Sequence, residues 1–204
     1  MVGMPPTTPA TAPATGPAVA PVILRPGPQP DGTGGLDTLQ LESLRLDGLL
    51  RRIAPRCWAG REAVLTPALK AGVVEFPPLR DLAVSHASAA WVWWGEDEAP
   101  APWEFSTLNR RRVRGQRECT VHEATVAPDD LAHPGGVPVT GPVRTLVDLL
   151  HATAADGDGD AGLPRAAEEA PAVARRAARD AIDRMSRRPH LRAMRALAGR
   201  LASG

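Results

Sequence analysis

Ser85-His86-Ala87-Ser88-Ala89-Ala90-Trp91-Val92-Trp93-Trp94-Gly95 holds three of the chain's five tryptophans within four positions. The same chain has two phenylalanines and no tyrosine, so most of its aromatic area is gathered at one point. The alanines favour helix and Gly95 supplies a stop, which predicts a helix over residues 84–94 capped by Ser85 or Ser88. Trp91 and Trp94 are three apart and share a face with Ala87 and Ala90, whereas Trp93 points elsewhere. Burying one indole removes about 200 Å² from water, roughly 5 kcal/mol before entropy is counted. A nucleic-acid stacking platform would instead place aromatics on exposed strands with arginines between them. The cluster reads as the anchor of a core, with Trp93 bordering a groove or a partner surface.

Outward from this helix the pattern changes period. Trp103-Glu104-Phe105-Ser106-Thr107-Leu108 and residues 118–126 alternate in strand fashion. Between them lies a hairpin-like connection, residues 109–117, carrying Arg110, Arg111, Arg112, Arg114 and Arg117. After Gly135-Gly136, residues 137–140 form an extended entry to a helix at 142–150. Upstream, Asp37 caps a short helix at 38–44, and residues 49–58 read as two extended pieces broken at Pro55. Thr66 and Pro67 then open a second helix. The expected fold class is α+β, a small mixed sheet packed by helices over residues 83–153. A reduced winged-helix-like unit precedes it at 35–82. Residues 1–34 carry nine prolines and read as a disordered tail. Residues 154–171 read as a flexible acidic insert and 172–204 as basic helices.

At 204 residues the chain is long enough for one domain with a proper core and a small accessory unit. The net charge is +1, which gives no overall drive toward nucleic acid. Charge is nonetheless uneven, because residues 165–204 hold ten arginines against four acids. Arg51 and Arg52 on the wing-like segment and the five arginines of 109–117 are the candidate phosphate contacts, weighed against a plain solvated basic face. Arg144 and Asp148 lie four apart on one helix face. Their cation-first order is weak for an exposed pair, so Arg144 is expected to tie its helix to neighbouring carbonyls or strands. Trp91, Trp94, Arg144 and Asp148 are thus the structural or partner-facing candidates.

Catalytic and metal signatures are missing from the sequence. The single lysine, Lys70, has Ala68 two positions before it, which excludes an acid-x-Lys nuclease site. The five histidines form no recognised ligand spacing, and Cys57 and Cys119 give neither a zinc motif nor a disulfide framework. Asp156-Gly157-Asp158-Gly159-Asp160 lacks the glycine and glutamate that a calcium loop needs at its sixth and twelfth positions. No cofactor is expected. The chain has neither a signal-peptide pattern nor an apolar run of membrane-spanning length, so it reads as cytoplasmic.

Two motifs carry a family resemblance. The Ser-Ala-Ala-Trp helix is followed at a fitting distance by Gly136-Val137-Pro138-Val139-Thr140-Gly141-Pro142-Val143-Arg144-Thr145-Leu146-Val147-Asp148-Leu149. Together these resemble the AbiEi-type antitoxins of abortive-infection systems, in their actinobacterial branch, over residues 39–150. The resemblance implies a cytoplasmic, non-enzymatic antitoxin whose partner is a nucleotidyltransferase-type toxin. It also implies operon autoregulation, with DNA held by an N-terminal winged helix. Here that module is short, since one good helix, a wing-like segment and one further helix occupy residues 35–82. A stand-alone DNA-binding regulator and a decayed paralogue without activity are the alternatives.

Overall fold

The computed structural model describes residues 23–28, 34–113, 118–157 and 163–203. Arg114, Arg117, most of the proline-rich tail and the centre of the acidic run lie outside the described residues.

Helix α1 (Thr38–Leu46) starts at a capping box. The Asp37 carboxylate accepts from the Gln40 amide at 2.8 Å, and the Gln40 side chain accepts from the Asp37 amide at 2.9 Å. Strands β1 (Leu50–Ala54) and β2 (Cys57–Gly60) form an antiparallel hairpin through Pro55 and Arg56. Six residues of the tail, 23–28, differ from the expected disorder. Leu24 and Trp58 exchange both backbone bonds, at 2.8 and 3.0 Å, and Ile23 packs on the core. The apolar pair Ile23-Leu24 supplies what the surrounding prolines lack, surface worth burying against the hairpin edge. Helix α2 (Pro67–Ala71) has Thr66 as its cap, with Oγ1 accepting from Leu69 N–H at 3.3 Å.

The main sheet is mixed, as expected. It contains β3 (Leu82–Val84), β4 (Trp103–Thr107), β5 (Cys119–His122), β6 (Leu131–Ala132) and β7 (Val139–Thr140), ordered β5-β4-β3-β7-β6. The hairpin-like reading of residues 109–117 is corrected, because β4 and β5 run parallel, with Trp103 opposite Cys119 and Ser106 opposite His122. A parallel return across a five-residue strand must travel roughly 17 Å, within reach of the eleven residues between the strands.

Helix α3 (His86–Trp94) separates two apolar cores. On one side Trp91, Trp103, Phe105 and Val84 pack with Ile53, Cys57 and Val73 from the N-terminal unit. On the other, Ala90 meets Leu146 and Leu150 of α4 (Pro142–Asp156), beside α5 (Arg165–Glu168), α6 (Ala172–Arg184) and α7 (Leu191–Ser203). The basic C-terminal helices are therefore integral: Ala178, Ile182, Met194, Leu197 and Leu201 are buried, Arg175 donates inward to Leu201 O at 3.2 Å, and Arg176, Arg179, Arg184, Arg192 and Arg200 are exposed. Helix α4 runs six residues beyond the expected end at 150 into the acidic stretch, because Ala154 still has a core to join. No helix among the described residues is long and apolar enough to cross a membrane.

Candidate functional site

The two ends of α3, about 13 Å apart for nine residues, gather the side chains with chemical potential. At the C-terminal end an open cleft of about 760 Å³ lies between the β1–β2 unit and the helix, lined by Arg51, Arg61, Lys70, Trp93, Glu96 and Asp97 among others. Each indole of α3 donates its N–H: Trp91 to Asp97 O at 2.8 Å, Trp93 to Thr140 O at 2.7 Å and Trp94 to Ala166 O at 2.7 Å. Trp91 is buried, and its ring stands edge-on to Trp103 at 5.8 Å. Trp93 and Trp94 are half-buried and line the cleft. Trp91 and Trp94, expected on one face, divide between the two cores, Trp91 buried in the first and Trp94 at the edge of the second, while Trp93 borders the cleft.

Lys70 closes this end. Its ammonium is buried and donates to Trp91 O at 3.2 Å, which also accepts from Gly95 N–H at 3.1 Å, and to Gly95 O at 2.5 Å, the carbonyl just past the helix end. Burial pushes its pKa below the usual lysine range, and the Arg51 charge adds to that. Lys70 is the residue whose role the sequence hides, since a lone lysine three positions into a short helix carries no motif.

The N-terminal end of α3 is polar. His86 is 7% exposed and sits at φ +50°, a left-handed conformation uncommon for a residue with a side chain. Its ring stacks on His122 with centroids 3.6 Å apart, and its Nδ1 lies 3.0 Å from Ser85 Oγ. Burial, reinforced by His122 and by the Arg144 guanidinium, pushes the His86 pKa to about 3, so the ring is neutral. His122 Nε2 lies 3.3 Å from Glu104 Oε2. The helix is fastened to β4 at this point, because Ser85 N–H donates to Glu104 O at 3.0 Å and Glu104 N–H donates to Ser88 Oγ at 2.9 Å. Ser85 is thus the N-cap by position, and Ser88, the other expected cap, ties helix to strand instead.

Beside this cluster Arg144 is clasped by acids. Its Nε donates to both Asp148 oxygens at 2.9 Å, and a terminal nitrogen reaches Asp130 Oδ2 at 2.8 Å and Thr125 O at 3.4 Å. Arg188 approaches Asp148 at 3.6 Å. Burial alone would lower the Arg144 pKa, but the Asp148 charge and hydrogen bonds outweigh it and the guanidinium stays charged. The pair and the tie to neighbouring chain foreseen from the sequence both form. Thr145 Oγ1 donates to Thr140 O at 2.9 Å and meets Thr140 Oγ1 at 2.8 Å. The Val-Thr-Gly-Pro-Val-Arg-Thr stretch is accordingly a joint that locks β7 to α4.

The candidate phosphate contacts lie in unlike settings. Arg51 turns inward, donating to Glu96 O at 3.0 Å and Ala63 O at 2.9 Å, and Arg52 pairs with Glu98 at 2.7 Å. Arg110 and Arg111 are exposed, and Arg112 pairs loosely with Glu123 at 3.5 Å. No single surface collects Arg51 and Arg52 with the 110–112 group among these contacts.

Compared with known protein families the chain matches none, and no curated protein matches it. Among solved structures it is similar to the RV2827C protein from Mycobacterium tuberculosis, at 18% identity over 85% of this chain and 71% of that one, with a TM-score of 0.31. The functional reading accordingly rests on the residues of this chain.

Proposed function

We propose that this chain is an antitoxin-like, non-enzymatic cytoplasmic protein that binds a nucleotidyltransferase-type toxin, with DNA as a secondary partner in operon autoregulation. The reading is carried by the motif at residues 136–149 in company with the Ser-Ala-Ala-Trp helix, which resemble the AbiEi-type antitoxins. What supports a protein partner is the character of the cleft at the α3 C-terminus. Half-buried indoles line it together with Arg61, Glu62, Glu96 and Asp97. Val64 at 80% exposure and Leu49 at 60% leave apolar surface beside it. Aromatic centres with polar rims are where protein interfaces concentrate their energy. Arg110, Arg111 and Arg112 supply the exposed guanidiniums for the secondary, DNA-facing role.

The test is to look for a nucleotidyltransferase-type reading frame adjacent to the gene and to co-express its product with this chain; absence of such a frame counts against the reading. The wild-type chain is expected to relieve growth arrest and to retain the toxin on an affinity column. Arg61→Glu combined with Val64→Asp changes two exposed side chains and should weaken that retention by at least ~10-fold while the fold stays intact. A wild-type chain that neither relieves arrest nor retains the toxin would overturn the reading.

A further inference from the structure

We propose that His86, Glu104 and His122 form a binding site for a divalent transition-metal ion of the zinc type. One ligand atom from each residue lies within 4.8 Å of the other two. Three separate elements supply them: the first turn of α3, the second residue of β4 and the end of β5. The His122 Nε2 to Glu104 Oε2 separation of 3.3 Å equals the edge of a tetrahedron whose bonds are about 2.0–2.1 Å long. Two imidazoles and a carboxylate are a borderline donor set that suits zinc, cobalt or nickel and leaves a fourth position open.

The surroundings fit this use. Ser85 Oγ at His86 Nδ1 acts as the partner that fixes a ligating imidazole, leaving Nε2 with the lone pair when Nδ1 carries the proton. The Ser85 and Ser88 bonds to the Glu104 backbone hold strand and helix in register, and the stacked rings of His86 and His122, with centroids 3.6 Å apart, must swing open at one edge to turn both lone pairs to a single ion. Ser106 lies two residues beyond Glu104, on the same face of β4 and opposite His122, and its fully buried hydroxyl has no partner among the described residues. A buried hydroxyl without a protein partner on the ligand-bearing face is a polar group that a ligand at this site could meet. The left-handed backbone at His86 is a local cost that aims one ring at the pair contributed by the sheet. Glu104 is the anion of the donor set, since the carboxylates of Asp130 and Asp148 are already paired with the guanidiniums of Arg144 and Arg188. Spacing along the chain could not show the site, because 36 residues and a parallel strand crossing separate His86 from His122.

The experiment is a titration of the full-length, chelator-stripped chain with Zn²⁺ by calorimetry, repeated with Co²⁺ and followed by visible absorption. One ion per chain and the intense visible bands of a tetrahedral cobalt centre are expected. His122 and Glu104 are partly exposed, so His122→Ala and Glu104→Gln should fold, as far-ultraviolet circular dichroism checks, and should each lose about 100-fold or more in affinity. His151→Ala, which alters the other close histidine pair, should bind as the wild type does. A wild-type chain that takes up no ion, or a His122→Ala chain that binds with unchanged affinity, would overturn the assignment.

Discussion

At its first residue α3 presents an imidazole to a second imidazole, a glutamate and a clasped arginine, whereas at its last turn it presents indoles to an open cleft. The two ends are fastened to the rest of the fold by different means. The N-terminal end is held by serines bonded to the backbone of β4. The C-terminal end has its carbonyls bound by the ammonium of Lys70. One end draws its stability from charge pairing in a confined network and the other from buried aromatic area. A short helix can thus serve as a spacer between two unlike sites, provided both cores grip its middle. Ala89, Ala90 and Val92 provide that grip, being small enough for the sheet and α4 to approach from either side.

The largest test of the comparison lies at the aromatic end. Trp91→Ala should cost about 4 kcal/mol, the usual range for deleting a buried aromatic side chain. The loss would include the edge-on contact with Trp103 and the bond to Asp97 O. Chemical denaturation measures it, and a loss below about 1 kcal/mol would mean that this end is not held by indole burial at all. At the polar end, Asp148→Ala should cost about 3 kcal/mol, since it leaves a largely buried guanidinium with the half-exposed Asp130 as its remaining carboxylate. Asp148→Asn, which keeps an acceptor in place, should cost less. Equal losses for the two substitutions would show that packing, not charge, carries the pair.

The sequence makes one of these ends easier to read than the other. Alanine content, tryptophan spacing and Gly95 predict α3 to within two residues, because helix period and helix stop are local signals. The α4 motif is legible for the same reason, and the Arg144–Asp148 pair follows from a spacing of four. The imidazole cluster depends on the β4–β5 register, and nothing local distinguishes a parallel crossover from a hairpin when five of the eleven connecting residues are arginine. With an antiparallel pairing Glu104 and His122 need not meet at all. Lys70 was illegible for a different reason: a lysine's ordinary place is solvent, and its burial follows from a tertiary approach of α2 to the end of α3.

That approach gives the smallest and most discriminating prediction. Lys70→Met keeps the length and apolar stem of the side chain and removes the ammonium, leaving the carbonyls of Trp91 and Gly95 without this donor. The expected cost near neutral pH is about 1–3 kcal/mol, the penalty for leaving buried polar groups unmet. A pH series separates this loss from mere packing. Burial lowers the Lys70 pKa in the folded chain, so the unfolded chain binds that proton more tightly. Protonation therefore favours unfolding across the interval between the two values. As pH rises toward the ordinary lysine value of 10.5, wild-type stability should climb relative to Lys70→Met. Denaturation midpoints measured between neutral and alkaline pH give the slope directly. If the difference between the two proteins stays flat, the ammonium is solvated in the cleft, and the aromatic end of α3 is capped by water instead of by the chain's single lysine.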